Sequence, residues 1–198
     1  VDLLFGKEGI ADSSSIATSG IGQPLKSGYD LDLTTDRFSS RSGYNPYEYR
    51  WGDGRATILD FVLETEEEQY PATIISGSAV SLKMACRFSS TVYQPIFGVT
   101  IKTKEGVTVF GTNSDIQGKP GRTQAGQAGT IVVVSLQFLC NLGPGDYFIS
   151  LGIASHDGAD IVPHDRRYDA VHFVVPPIGS FFGLTNLNAS MQLEVGKQ

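Results

Sequence analysis

The chain has little of what most enzymes, disulfide scaffolds and membrane proteins need. Its 198 residues include two cysteines, three histidines and one tryptophan. Two cysteines cannot form a disulfide scaffold, and no apolar run reaches the roughly 18 residues of a membrane span. No P-loop and no Gly-x-Ser-x-Gly elbow is present, so nucleotide hydrolysis and serine-hydrolase chemistry lack their motifs. We therefore expect a chain that is not an enzyme and that carries no cofactor.

Positive charge is also scarce. The chain has 15 Lys and Arg against 21 Asp and Glu, a net charge of -6. An acidic surface repels phosphate backbones, so we expect no nucleic-acid partner. The chain starts at Val1 without a signal peptide, and we expect it to be a piece of a longer protein.

Glycine, proline and short β-type runs are what the sequence does have. The 23 glycines and nine prolines separate runs rich in Val, Ile, Phe, Tyr and Thr. No helical period competes with these runs. They predict an all-β fold, an antiparallel β-sandwich, with strands near 56–65, 79–89, 95–104, 107–112, 130–140, 145–155, 168–175 and 180–195.

Alternation along these runs assigns faces, since side chains of a strand alternate with period 2. We predict that Val132, Val134, Leu136 and Phe138 face the core, as do Tyr147, Ile149, Leu151 and Ile153. Cys86 and Cys140 also fall on inward faces, which favours reduced core thiols in a cytosolic protein over a bridge. Whether the two thiols touch stays open.

The first part of the chain differs in composition. Ser/Gly-rich stretches at 13–22 and 39–43 show no steady period. We therefore predict a linker or N-terminal arm over residues 1–44 and the β-sandwich domain over residues 45–198.

Two stretches could carry chemistry. His156, Asp157, Asp160, His164 and Asp165 gather within ten residues, but their spacing matches no common metal motif, so we predict a polar loop and no metal. The stretch from Arg50 to Ala56 holds Trp51 beside a Gly-Asp-Gly turn. This ring either closes one end of the core or stacks on a sugar, whose C–H face is apolar.

A family resemblance rests on the order of several motifs. These are Arg50-Trp51-Gly52-Asp53-Gly54-Arg55-Ala56, Pro95-Ile96-Phe97-Gly98-Val99-Thr100, Val109-Phe110-Gly111-Thr112-Asn113-Ser114 and Leu142-Gly143-Pro144-Gly145-Asp146-Tyr147. Over residues 44–195 the chain resembles the C-terminal domain of Wzt-type proteins, the ATPase subunits of bacterial ABC transporters that export O-antigen polysaccharide.

The resemblance implies an immunoglobulin-like sandwich that acts as a carbohydrate-binding module. It would recognise the O-polysaccharide, often at its modified non-reducing end, and so select the cargo of the exporter. The ATPase domain would precede Val1, and the complex, with its transmembrane permease subunit, would lie at the cytoplasmic face of the inner membrane. The family offers no short ligand motif to carry over.

Binding residues therefore come from the face assignment, which gives two outward patches with aromatic and hydrogen-bonding groups. One holds Phe148, Ser150, Tyr168, His172, Thr100 and Lys102; the other holds Lys83, Arg87, Ser135, Gln137 and Asp60; Trp51 is the further candidate. If the glycan ends in a phosphate cap, Arg87 is the best-placed partner, and Arg87→Ala should then weaken binding. The alternatives are a structural or protein-interaction sandwich without sugar binding, and a hydrolase or lyase.

The C-terminal run predicts a dimer. Leu187, Ala189, Met191, Leu193 and Val195 alternate with polar residues, and a stiff Pro176-Pro177 joint precedes them. A stiff joint beside a self-sufficient strand favours exchange between copies. We predict a homodimer in which residues 181–195 add to the partner's sheet, the alternative being a strand that folds back onto its own sandwich.

Overall fold

The computed structural model describes residues 31–118 and 126–196, and the described chain is a two-sheet antiparallel β-sandwich. The five-stranded sheet has the order β1-β8-β7-β4-β5, and the three-stranded sheet has the order β2-β3-β6. The strands are β1 Tyr49–Trp51, β2 Ala56–Glu64, β3 Ala79–Phe88, β4 Ile96–Thr103, β5 Thr108–Asn113, β6 Ile131–Leu139, β7 Gly145–Asp157 and β8 Asp160–Val175. The predicted all-β, immunoglobulin-like class is confirmed.

The core lies between the two sheets and follows the alternation of the sequence. Tyr147, Ile149, Leu151 and Ile153 of β7 are each at most 1% exposed. Cys86 and Cys140 are both free and buried, and burial raises the pKa of each thiol. The predicted inward face of β7 is confirmed, and the predicted inward residues of β6 pack against the core while partly buried, because one buried face forces one register on each strand.

The polar stretch after β7 is a long hairpin and not the predicted loop. β7 turns at Asp157 and pairs back from Asp160, with Gly158 at φ +60 in the turn. His164 and Asp165 therefore lie within β8, where they are 1% and 4% exposed. The prediction of a polar loop is wrong for residues 160–165, which belong to β8 and have partners elsewhere in the chain.

The chain before β2 adds two elements that the strand pattern did not indicate. A 3-10 turn, Phe38–Ser40, places Phe38 in the core at 0% exposure. β1 follows and pairs with β8. Residues 31–44 thus pack on the sandwich, although they fall in the segment assigned to a linker or arm; the rest of that segment, residues 1–30, lies outside the described residues.

The C-terminal run forms no strand in the described chain. Gly143 N donates to Leu184 O at 2.9 Å and Asn186 N to Asn141 O at 2.7 Å. Beyond these bonds the tail leaves the sandwich, and Leu187, Met191, Leu193 and Val195 are 83–91% exposed. The single chain therefore does not contain the strand predicted for 180–195. No helix in the described ranges is long and apolar enough to cross a membrane.

Candidate functional site

A row of aromatic rings, two exposed and two half-buried, crosses the outer face of the five-stranded sheet. We call Trp51, Tyr49, Tyr168 and Phe148 the aromatic stripe. Tyr49 pairs with Tyr168 across β1 and β8, and their rings stack with centroids 6.2 Å apart. Trp51 and Tyr49 are 42% and 66% exposed. Tyr168 and Phe148 are only half-buried. The cross-strand pairs Tyr49–Tyr168, Trp51–Arg166 and Phe148–His172 place all four rings on the outer side.

Cations connect the rings of the stripe. The Arg166 guanidinium lies 5.4 Å from the Trp51 ring centre, and its Nη1 donates to the Tyr168 hydroxyl at 2.9 Å. The Lys102 ammonium lies 5.6 Å from the Tyr168 ring centre, and Lys102 pairs with Phe148 across β4 and β7. The rings and cations therefore form a continuous surface. Trp51 is level with Gly152 of β7, because both pair with Arg166, so the stripe extends about 13 Å along the strand direction, the rise from Gly152 to Phe148.

Polar side chains on the same face lie beneath the stripe and at its end. Ser150 is 0% exposed; its hydroxyl accepts from the Asp169 N–H at 2.8 Å and lies 3.2 Å from the Asp169 carboxylate. Asp169 has φ +54 and marks the irregularity of β8 next to Tyr168. At the far end His172 contacts Phe148, with centroids 4.9 Å apart, and bonds Asp146 at 2.8 Å. Ser150 thus holds the β8 backbone at Asp169, next to Tyr168, whereas His172 is accessible.

Trp51 stands beside a small open pocket at the other end of the stripe. The pocket measures about 210 Å³ and is lined by Arg50, Trp51, Gly52, Gly54, Ala56, Thr57, His164 and Asp165. Its volume is below the roughly 300–1,000 Å³ of pockets for drug-sized ligands. The ring does not close the core, since nearly half of it is exposed. An exposed ring next to a polar pocket can stack on a pyranose and hydrogen-bond its hydroxyls.

An ion network centred on the buried Asp165 lies at the floor of this pocket. Arg50 donates two parallel hydrogen bonds to Asp165, at 2.9 and 2.8 Å, and one to Asp36 at 2.7 Å. Asp165 also accepts from the Ile58 N–H at 2.7 Å. Burial would raise the pKa of Asp36, but the Arg50 hydrogen bond and the charges of Arg167 and Arg50 hold it below its ordinary value. The network joins β1, β2 and β8 behind Trp51.

A hydrogen-bonded chain of Ser155, His164 and Asp53 lies next to the network. Ser155 Oγ is 2.9 Å from His164 Nε2, and His164 Nδ1 is 2.9 Å from Asp53 Oδ1. This is the order of a hydrolase triad. Yet Ser155 is 7% exposed, and the adjacent pocket is lined by His164 and not by Ser155. The geometry holds a loop in place and presents no nucleophile to the pocket.

The second predicted patch lies on the opposite sheet and is only partly accessible. Lys83 is 4% exposed and pairs with Glu64 at 2.9 Å, and Asp60 is 0% exposed and bonds Arg41. The expectation that Lys83 and Asp60 are exposed is therefore wrong. Arg87 and Gln137 are exposed, and Arg87 donates to the Thr34 carbonyl at 3.0 Å. One ligand cannot span both faces of the sandwich.

The grouping of the first patch agrees with the structure, and two members were missed. Phe148, Ser150, Tyr168, His172, Thr100 and Lys102 all lie on the outer face of the five-stranded sheet. Ser150 and Thr100 are only 0% and 4% exposed, so the expectation that they are accessible for binding is wrong. Tyr49 and Arg166 also belong there. Tyr49 is two residues before Trp51, so a period of 2 indicates a shared face. Arg166 carried no such signal, because its stretch was interpreted as a loop.

The His and Asp cluster between 156 and 165 does not converge on one point. His156 bonds Asp115 at 3.1 Å, His164 bonds Asp53, and Asp165 bonds Arg50. In the part of the chain that the structure describes, no group of three or more His, Cys, Asp or Glu side chains could hold a metal ion.

Comparison with known proteins adds to this geometry. Residues 47–187 match the family model of the Wzt C-terminal domain. The crystal structure of the C-terminal domain of Wzt superposes with a TM-score of 0.74 at 28% identity, covering 83% of this chain and 100% of that one. A β-glucosidase from Listeria innocua in complex with glucose aligns with a TM-score of 0.32 at 11% identity, covering 60% of this chain and 16% of that one, too low to carry an argument. No curated protein matches the sequence.

Fold and site together define an all-β sandwich with an open aromatic face on one sheet. The chain belongs to the Wzt C-terminal domain family. The family resemblance drawn from the sequence motifs is thereby confirmed.

Proposed function

We propose that this domain is a non-catalytic module that binds bacterial O-polysaccharide and gives an ABC exporter its substrate specificity. The observation that carries the proposal is the aromatic stripe on one sheet face of a Wzt-family domain, with Trp51 and Tyr49 exposed and Tyr168 and Phe148 half-buried. Rings of this kind stack on the apolar faces of pyranoses, while Lys102, His172 and the pocket beside Trp51 supply hydrogen-bonding groups. This face is favoured over the opposite one because Lys83 and Asp60 there are buried in ion pairs.

The end of the glycan belongs in the pocket beside Trp51. A pocket of about 210 Å³ takes one ring and not a chain, whereas the stripe leading to it is long enough for several rings. In this proposal the non-reducing end enters the pocket and the preceding units lie over Tyr49, Tyr168 and Phe148. The domain would work in the cytoplasm, at the inner face of the inner membrane, next to the permease subunit.

Titration calorimetry with O-polysaccharide from the strain that encodes the chain tests the proposal. Trp51→Ala and Tyr168→Ala should each weaken binding about tenfold or more. Tyr93→Ala is the matched control, since this tyrosine is 71% exposed and lies between β3 and β4. Arg87→Ala should leave binding unchanged if the stripe is the site, and should weaken it if a charged cap binds the other sheet.

The outcomes separate the alternatives. No heat of binding with the polysaccharide would favour a structural or protein-interaction sandwich. Cleavage of the polysaccharide during the titration would favour a hydrolase or lyase. Equal losses in the Tyr93 and Trp51 variants would show that the stripe is not the site.

We also propose that the domain is a homodimer formed by exchange of residues 181–195. In the described ranges β6 pairs only with β3, so its other edge is free to accept a strand. The inward residues Val132, Val134, Leu136 and Phe138 of β6 are only partly buried, and the tail exposes an alternating apolar face. A strand received from a partner would cover both surfaces at once, which favours a twofold exchange.

A further inference from the structure

One histidine links the five-stranded sheet to the loop that follows Trp51. His164 lies on β8 and is 1% exposed; its Nε2 contacts Ser155 of β7, and its Nδ1 contacts Asp53 in the loop between β1 and β2. Both distances are 2.9 Å. We call Ser155, His164 and Asp53 the relay. It connects the middle of the five-stranded sheet to the loop that follows Trp51.

The proton positions in the relay follow from Asp53. Burial would raise the pKa of Asp53, but the Arg55 N–H, the His164 ring and the Arg55 side chain hold it at about 2. At neutral pH this carboxylate can only accept, so His164 Nδ1 must donate to it. Nε2 lies at hydrogen-bond distance from the Ser155 hydroxyl. Both imidazole nitrogens therefore have partners within the fold.

The loop is also attached to β8 by its backbone. Asp53 N donates to Pro163 O at 3.2 Å, and Gly54 N to His164 O at 3.0 Å. Gly52 lies so close that a Cβ on it would be 2.2 Å from the His164 carbonyl oxygen. These contacts are made by backbone atoms and do not require the side chains of the relay. Loss of the relay should therefore loosen the Trp51–Gly54 loop without unfolding the sandwich.

We infer that Ser155, His164 and Asp53 are positioning residues that fix the Trp51 ring and the adjacent pocket wall for sugar binding. The inference rests on the proposed function, because it assigns these residues a role at the same site. They act through Trp51, Gly52 and Gly54, which line the pocket together with His164. In this role their side chains need not contact the glycan.

Trp51 is the only tryptophan, so its fluorescence reports the relay without any ligand. In Asp53→Ala and His164→Ala we expect increased acrylamide quenching of Trp51 and a lowered emission anisotropy. Asp53→Asn should stay close to the parent, because its amide oxygen still accepts from Nδ1. Arg55→Ala is the matched control, since it removes the exposed second partner of Asp53.

The affinity for the O-polysaccharide, measured by calorimetry, should fall about tenfold in Asp53→Ala and in His164→Ala. This matches the loss of one charge-assisted hydrogen bond. Ser155→Ala is a milder second variant, which should weaken binding less and keep the parental melting temperature. Recovery of affinity in Asp53→Asn would distinguish positioning by the hydrogen bond from an effect of charge.

Three results would overturn the inference. These are parental affinity and quenching in Asp53→Ala, lost affinity with unchanged Trp51 quenching, and an Asp53→Asn variant as weak as Asp53→Ala. If the parent chain itself fails to bind the polysaccharide, the proposed function fails, while the ligand-free fluorescence still decides whether the relay holds Trp51.

Discussion

The Arg50 guanidinium meets the Asp165 carboxylate side-on, through two parallel hydrogen bonds of 2.9 and 2.8 Å. The two residues are 115 positions apart in sequence. Asp165 is 4% exposed, so its charge has almost no contact with solvent. The pair therefore ties β1 to the centre of β8 by an interaction that is strong only while both partners are present.

Removal of the cation should destabilise the fold strongly. In Arg50→Ala the buried Asp165 charge loses its bidentate partner, and we expect a loss of about 3 kcal/mol in the free energy of unfolding. Urea unfolding followed by circular dichroism measures this. Arg55→Ala breaks an ion pair whose side chains are 44% and 34% exposed, and it should cost at most about 1 kcal/mol. Similar costs for the two variants would show that the Arg50 pair is not the stronger one.

Asp53 should make stability depend on pH in the acid range. Its folded pKa of about 2 lies below the ordinary 3.8, so its ionised form favours the folded state. This contribution is complete above about pH 3.8 and is lost as the pH falls through about 2. After allowance for solvent screening of a side chain that is 34% exposed, it amounts to about 1 kcal/mol.

Asp53→Asn does not titrate and isolates this effect. Between about pH 4 and pH 2 the unfolding free energy of the parent should fall more steeply than that of the variant. Urea unfolding at a series of pH values gives both curves. Parallel curves would mean that Asp53 is not held in its ionised form by the fold.

Two glycines of the same loop offer a matched pair. Gly54 has φ +77 and no atom within 4 Å of a built Cβ, so Gly54→Ala should cost about 1 kcal/mol from its backbone conformation alone. At Gly52 a Cβ would lie 2.2 Å from the His164 carbonyl oxygen. Gly52→Ala should therefore cost about 3 kcal/mol, because the loop must move off β8. Thermal unfolding compares the two, and equal costs would contradict the close packing.

The tail prediction is tested by the oligomeric state. A chain that ends at Asn186 keeps the hydrogen bonds of Leu184 and Asn186 to the 141–143 turn but lacks the exposed apolar run. Light scattering should give a dimer for the 198-residue chain and a monomer for the shortened chain. Leu193→Asp in the full chain should also give a monomer. A monomeric full chain would disprove exchange, and a dimeric shortened chain would place the interface elsewhere.

The alternation of apolar and polar residues along each strand correctly predicted which side chains face the core. Tyr147, Ile149, Leu151 and Ile153 were correctly assigned to the core, since a period of 2 is visible in any strand with one buried face. The same reasoning placed Phe148, Tyr168 and His172 together on the outside. Face membership is local information, and a single sequence carries it.

Partners that are distant in sequence were the part that could not be predicted. His164, Asp165, Arg166 and Arg167 form a charged run that is typical of an exposed loop, yet all four are at most 5% exposed. Their burial depends on Asp53, Asp36, Arg50 and Glu48, which lie over 100 residues earlier. Nothing near the run indicates these partners, and so both the hairpin and the relay were missed.

β1 and β8 pair in space but lie far apart in sequence, and this sets the order in which the aromatic stripe assembles during folding. β7 and β8 are joined by a tight turn, so Phe148, Tyr168 and His172 can come together through local pairing. Trp51 and Tyr49 arrive on a three-residue strand that must close a loop of more than 100 residues. Long loop closure is slow compared with hairpin formation. We expect the Trp51 fluorescence change to be the late event in refolding, after most sheet structure has formed, so that a newly made chain completes the aromatic stripe last.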